Sequence, residues 1–343
     1  MSATIKLENK HFPVLLKELI SIISPLYGGT FLDCTFGQGG YSKEILKKKN
    51  NKVIAIDRDK EVGLFAKEIK KKYNNRFQFY NIKFSEINTI KLKSNDLKGI
   101  IFDLGYSNNQ IKDLNRGFSF RSTGRLNMMM GINDFSCDEV ISNMSEENLN
   151  KVFKYFGEEK FSKRIARKII DIRQTKKINT EDLTKIVDSV KKFQKYKINN
   201  STKVFQALRI YVNREISELI NGLINAFNLL PVGGIIAVVT FHSIEDKIVK
   251  FFFKNYSEIK NSSRYIPNKS NKIKRFLLKN KKPIIPSNEE LKLNPPSRSA
   301  KLRFAIKTSH ESNFDEFKGK FRQLTDIEKL QFEKWKKYSF LFQ

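Results

Sequence analysis

Asp33-Cys-Thr-Phe-Gly37-Gln-Gly39-Gly40 decides how this chain is read. Thr30–Phe36 (TFLDCTF) reads as a short buried strand that breaks at the glycines. Helical spacing resumes from about Ser42 to Lys48. Strand, glycine turn and helix in that order let the backbone approach a ligand without a Cβ in the way. Working outward, Lys52–Asp57 (KVIAID) predicts a second strand and Lys60–Lys72 a second helix. Arg76–Ile82 and Leu97–Asp103 predict a third and a fourth strand. Strands alternating with helices imply an α/β class, with a parallel Rossmann-like sheet and right-handed crossovers.

From Arg116 to Ser201 the apolar strand runs stop, and polar helical stretches replace them: Ser145–Tyr155, Glu159–Gln174 and Thr180–Lys192. Val204–Leu230 reads as one long amphipathic helix. It leads into Pro231-Val-Gly-Gly and a fifth strand, IIAVVTF, ending at Phe241. Lys301–Thr308 alternates like an antiparallel edge strand. The expected organisation is a sheet domain in two parts, 1–115 and 204–309, around an inserted all-helical domain at 116–203. A charged tail follows at 310–343, with a short helix around Lys329–Lys337. Asn261–Asn294, rich in Lys, Asn and Pro, reads as a loop.

No run of eighteen apolar residues occurs, so no membrane span is expected. Cys34 and Cys137 form no motif, and His11, His242 and His310 do not cluster, so neither a disulfide scaffold nor a metal site is indicated. A reducing cytoplasm is the simplest location. Lys and Arg total 65 against 36 acids, a net charge of +29. That suggests a polyanionic partner such as RNA. The same excess of Lys, beside abundant Asn, Ile and Phe, also fits an A/T-rich coding sequence, so charge alone leaves both readings open.

Asp57 closes the second strand, twenty residues after Gly37. A carboxylate there suits a ribose diol, which both NAD and S-adenosylmethionine carry, or is a plain surface acid in Asp-Arg-Asp-Lys. The glycine order, G-x-G-G after Asp-x-Thr, differs from the G-x-G-x-x-G of pyrophosphate cofactors and favours the latter. Phe84, just after the third strand, could pack on an adenine or face the core. Asp103 ends the fourth strand in Phe-Asp-Leu-Gly, where it could serve the site or cap a turn.

At these residues the chain resembles the bacterial 16S rRNA cytosine-N4 methyltransferases, the RsmH/MraW family. Nine blocks carry the resemblance, in the family's order, from His11 to about Lys307. They are His11-Phe-Pro-Val-Leu-Leu, the Asp33 block, Ala55-Ile-Asp-Arg-Asp, Asp103-Leu-Gly, Arg116-Gly-Phe-Ser-Phe, Gly157-Glu-Glu, Phe205-Gln-Ala-Leu-Arg-Ile, Phe241-His-Ser-Ile-Glu-Asp and Arg298-Ser-Ala-Lys-Leu-Arg. The resemblance implies S-adenosylmethionine as donor, bound at Gly39, Gly40, Tyr41, Asp57, Phe84, Asp103 and Gln110. It also implies a cytidine N4 in the P-site region as acceptor, within an assembled small subunit. The chain departs from the family at Tyr41, where His is usual, and at Asn127 and Met129, where an acid and a base are usual.

The cytosine N4 lone pair is delocalised, so a hydrogen-bond acceptor on N4–H would help. Asp103 is the first candidate, beside a role in holding the donor, and His242 the second. Arg116, Phe118 and Phe120 could hold a flipped base or anchor the insertion, and Arg298 and Arg303 could meet phosphate. Ser243 with Asp246 fits a helix capping box. Glu158, Glu159, Arg164 and Arg167 have the spacing of internal helix ion pairs.

Overall fold

Strand pairing follows from where the apolar runs fall. The computed structural model describes residues 13–23, 27–91, 96–120, 122, 124–191, 199–257 and 274–332. The strands are β1 (Gly29–Asp33), β2 (Asn51–Ile56), β3 (Phe77–Tyr80), β4 (Leu97–Asp103), β5 (Ile235–Thr240), β6 (Phe276–Leu277) and β7 (Lys301–Lys307). They form one sheet in the order β3-β2-β1-β4-β5-β7-β6. The first five are parallel, while β7 runs antiparallel to both β5 and β6.

Helices α1 (Leu16–Ile23), α2 (Gly40–Leu46) and α3 (Gly63–Tyr73) alternate with the early strands. Then come α4 (Asn108–Lys112), α5 (Cys137–Asn143), α6 (Glu146–Phe156), α7 (Ser162–Arg173), α8 (Thr180–Val190), α9 (Thr202–Asn213) and α10 (Glu215–Leu229). The last are α11 (Ser243–Asn255), α12 (Asn288–Leu293), α13 (Asp315–Lys320) and α14 (Arg322–Glu328).

The chain forms two compact units. One comprises Met1–Gly105 and Gly222–Asn313 and contains the sheet. Phe31, Leu32, Ile100, Phe102 and Val238 are fully buried within it, because covering helices bury both faces of a parallel sheet. The other comprises Tyr106–Asn221 and Phe314–Gln343 and is helical. There α6 buries Leu149, Val152, Phe153 and Phe156, the one-face spacing of an amphipathic helix. Ser145 caps that helix, accepting from the Asn148 N–H at 3.3 Å.

Several boundaries differ from the sequence reading. The helical unit starts at Tyr106 rather than Arg116 and takes in α9 and the start of α10. Val204 to Leu230 is two helices, because Arg214 adopts φ +50 between them. That break is fixed by Asn213, whose side chain donates to Met128 O and Arg209 O and accepts from Met130 N–H. β7 is an interior strand: the two-residue β6 lies outside it, within the stretch read as a loop. His11, residues 258–273 of that loop, and residues 333–337 of the expected tail helix lie outside the described residues. Glu159 pairs with Lys191 at 2.5 Å and Arg167 with Glu146 at 3.5 Å, so the expected ion pairing within the helix gives way to longer-range pairs.

The tail is more than a charged appendage. Phe314, Phe317 and Phe321 are buried, and Phe332 meets Phe135 edge-on at 5.3 Å. The buried Glu328 accepts from the Ile216 and Ser217 N–H groups, each at 2.8 Å, and so caps the N-terminus of α10. Tyr211 donates its hydroxyl to Leu330 O. Phe317→Ala is expected to cost ~3–5 kcal/mol in denaturant unfolding, and truncation after Asn313 to lower the melting temperature. A truncated chain that melts with the intact one would show that the tail stabilises nothing.

Candidate active site

The loop after β1 is tied to the strands on either side of it. Phe36 N–H donates to Ile56 O at 3.0 Å, extending the contact with β2. Gly37 N–H then donates to Asp57 Oδ2 at 2.8 Å, and Asp59 N–H to Asp57 Oδ1 at 2.9 Å. On the other side, Cys34 N–H donates to Ile101 O at 2.9 Å, and Asp103 N–H to Thr35 Oγ1 at 2.7 Å. The carboxyl ends of β1, β2 and β4 are thereby drawn together, at the sheet edge where α/β folds bind their ligands.

The glycines of the turn do different jobs. Gly37 adopts φ +53, and a Cβ there would meet no atom within 4 Å: open space lies in front of it. Gly39, at φ +75, faces protein instead, since a Cβ would lie 2.5 Å from Ile69 Cδ1 and 2.7 Å from the Phe36 ring. At Gly40 a Cβ would lie 2.1 Å from Pro13 Cγ. Close packing therefore demands Gly39 and Gly40, the two expected at the cofactor. The glycine that borders free space is Gly37.

Three acids end these strands. Asp33 is fully buried; it accepts from Ser42 Oγ at 2.6 Å and Thr35 N–H at 3.3 Å, and burial raises its pKa to about 6. Asp57 is half-buried and also raised to about 6 by desolvation. Asp103 is raised furthest, to about 8, first by burial and then by the charges of Asp33 and Glu245. Its Oδ1 is buried without a hydrogen-bond partner in the protein. Such an atom calls for a donor from outside the chain. A carboxyl with one unmatched oxygen, beside other acids, fits a cationic ligand, and the Gly37 space with Asp57 fits a ribose.

The other expected residues are placed as follows. Tyr41 is buried; its hydroxyl donates to Val14 O and lies beside the Asp103 carboxyl. Phe84 is half-buried, edge-on to Phe102 at 5.5 Å, in a space left by Gly222, so it is part of the packing as well as partly open. His242 is the N-cap of α11, one residue earlier than the Ser243 box expected. Its Nδ1 accepts from Glu245 N–H at 3.5 Å, its Nε2 lies 3.1 Å from Glu245 Oε1, and Glu245 returns a bond to Phe241 N–H at 2.8 Å. The imidazole is turned onto its own helix, with Glu245 at both ring nitrogens. Asp246, expected in that box, instead accepts from Arg303 Nε at 2.7 Å and Lys301 Nζ at 3.2 Å.

Gln110, Arg116, Phe118 and Phe120 belong to the helical unit. Gln110 Oε1 accepts from Ser107 N–H at 2.9 Å. Arg116 donates to Met129 O at 2.8 Å and lies 5.8 Å from the Phe118 ring centre, and Phe120 meets Phe205 edge-on at 6.2 Å. The side chain of Asn127 accepts from Met129 N–H at 3.0 Å, closing that turn. Arg298 is exposed on a 3₁₀ turn, Pro295–Ser299. The sequence reading missed Thr35 and Asp33 as site residues; the Asp-x-Thr before the first glycine was their signal.

A parallel sheet closed by a reversed strand, with a glycine turn and an acid at the ends of β1 and β2, defines the class of S-adenosylmethionine-dependent methyltransferases. Within that class the chain belongs to the MraW methylase family, whose model matches residues 8–308. It is 43% identical over 302 residues to the ribosomal RNA small subunit methyltransferase H of Ehrlichia canis (strain Jake), covering 87% of this chain and 99% of that one. It is also 43% identical over 304 residues to the protein of that name from Rickettsia africae (strain ESF-5), covering 86% and 97%. The rRNA methylase structure from Streptococcus thermophilus aligns with 85% of this chain and 96% of its own at TM-score 0.38 and 9% identity, too distant to argue from. Among the described residues, no helix is long and apolar enough to cross a membrane.

Two sets of variants test the site. Gly37→Ala is expected to stay folded at a strain of ~1–2 kcal/mol, yet to bind S-adenosylmethionine at least about tenfold more weakly by calorimetry. Gly40→Ala should instead lose stability. Equal donor affinity in Gly37→Ala would place the donor elsewhere. For Asp103, between its unfolded value of 3.8 and its folded value of about 8, the folded chain holds a proton that the unfolded chain has released. Stability therefore falls as pH rises through that window, by up to ~1.4 kcal/mol per pH unit. Asp103→Asn should melt above the wild type at pH 7.5, by more than at pH 5.5, while transferring methyl groups far more slowly. A melting difference that does not change with pH would refute the raised pKa.

Proposed function

We propose that this enzyme methylates N4 of a cytidine in the P-site region of 16S rRNA, acting in the cytoplasm on the assembled small subunit. One observation carries the chemistry: the Asp103 carboxyl at the tip of β4, its pKa raised to about 8, has a buried Oδ1 without a hydrogen-bond partner in the protein. When bound, S-adenosylmethionine supplies a methyl carbon on a positively charged sulfur, a charge that also favours the ionised form of nearby carboxyls. Asp57 receives the donor's ribose hydroxyls on its remaining lone pairs, since each of its oxygens already accepts one backbone N–H. Gly37, Gly39 and Gly40 contribute backbone only. Phe84 and Tyr41 wall the donor, and Gln110 completes its binding.

Asp103 accepts a hydrogen bond from N4–H, which localises the lone pair on nitrogen. Ionised beside the donor's positive charge, it would then take the proton that N4 releases as the new N–C bond forms and the donor's S–C bond breaks, leaving a neutral thioether. Positioning supplies much of the remaining rate, because transfer needs nitrogen, carbon and sulfur in line. Arg116, Phe118 and Phe120 hold the flipped base, and Arg298 offers its charge to phosphate. The relatives' names and the net charge of +29 support RNA as the substrate.

The test uses small subunits from cells that lack the modification. Incubated with the enzyme and isotopically labelled donor, then digested, they should yield labelled N4-methylcytidine by mass spectrometry. Label in another nucleoside would overturn the acceptor; donor binding with no transfer would overturn the substrate.

A further inference from the structure

Tyr106 is the first residue of the helical unit and stands three residues after Asp103 in the chain. It leaves 45% of its surface exposed. An exposed tyrosine is ordinary; the support under this one is not. The Arg209 guanidinium lies 4.8 Å from the Tyr106 ring centre, within cation–π range. That guanidinium cannot wander. It is 6% exposed and donates through Nε and Nη2 to the two oxygens of Glu215, both at 2.8 Å. Beside the ring, Phe118 stands 6.1 Å away at 37°, with Arg116 next to it in turn. Tyr27, by contrast, is 92% exposed.

A buried, bidentate ion pair is costly to desolvate, and here it holds in place one loop tyrosine that stays 45% exposed. A braced, part-exposed aromatic ring in a strongly basic chain matches the chemistry of one ligand: an unpaired base of single-stranded RNA. Stacking needs no particular base edge, and the surrounding positive charge attracts the phosphate backbone. We propose that Tyr106, braced by Arg209 and Glu215, is a nucleobase-stacking site that positions the RNA for the reaction. This rests on the rRNA substrate proposed above and adds a residue that the sequence reading did not single out.

The experiment compares wild type, Tyr106→Ala and Tyr106→Trp, the last in a Trp335→Phe background so that only one indole remains. Binding of a short, labelled single-stranded oligoribonucleotide rich in cytidine is followed by anisotropy. Methylation of small subunits is followed separately for KM and kcat. Tyr106→Ala should bind the oligonucleotide roughly 5- to 150-fold more weakly, the equivalent of ~1–3 kcal/mol. It should raise KM more than it lowers kcat and leave donor affinity unchanged. Tyr106→Trp should restore RNA binding, and its emission should be quenched as RNA is added. Alanine that binds RNA within about twofold of wild type, or indole emission that saturating RNA does not move, overturns the stacking site. The two readings fail separately. Active wild type with an indifferent Tyr106→Ala removes only the stacking site. Wild type that binds RNA through Tyr106 but leaves small subunits unmethylated removes only the assigned substrate.

Discussion

The sheet edge is held together by hydrogen bonds that cross strands just where charge accumulates. Gly37 N–H reaches Asp57, and Asp103 N–H reaches Thr35, so the loop after β1 is anchored from both sides. The same anchoring gathers Asp33, Asp57 and Asp103 at the ends of neighbouring strands. Burial makes each carboxyl reluctant to ionise, and Asp33 raises the pKa of both of the others. A ligand-free site of this kind is electrostatically uncomfortable. A cationic ligand relieves it, which is why a destabilising arrangement is a useful one in an enzyme whose donor carries positive charge.

The helical unit solves a different problem. Its helices bury their apolar faces against one another, and its ends are tied by side chains distant in sequence. Glu328 caps α10 and Asn213 braces the break before it. The tail that supplies Glu328 lies beyond residue 308, where the family match ends. In this chain that segment is part of a core, with Phe317 and Phe321 packed at 5.7 Å. Acidic and aromatic residues made that possible in a stretch that composition alone marks as charged.

Much of the sheet was legible from the sequence. Leu97–Asp103 is the strand read there, residue for residue. Parallel strands buried on both faces are continuous apolar runs, and such runs carry their own signal. Elements that depend on remote partners were not legible. The two-residue β6 exists because β7 offers it an edge. The division of Val204–Leu230 into two helices depends on Asn213 reaching Met128 and Met130, more than eighty residues away in sequence. The cap on α11 moved to His242 because Glu245, not Asp246, turns back to the helix start; Asp246 is drawn to Arg303 on β7.

At the site the sequence placed the residue types and the structure assigned their roles. The motif Asp33–Gly40 and the acids Asp57 and Asp103 follow from strand-end position, which local pattern determines. Which glycine borders open space, and which two merely admit Pro13 and Ile69, depends on what packs against them. The protonation of Asp103 likewise depends on burial and on charges that arrive from β1 and α11. Sequence by itself determined the alternation of strands and helices, the family and the acids at the strand ends, because these rest on local periodicity and residue identity. Only the tertiary structure decided which atoms are sealed, which are left without a partner and which rings are braced, because those properties belong to contacts between residues far apart in the chain.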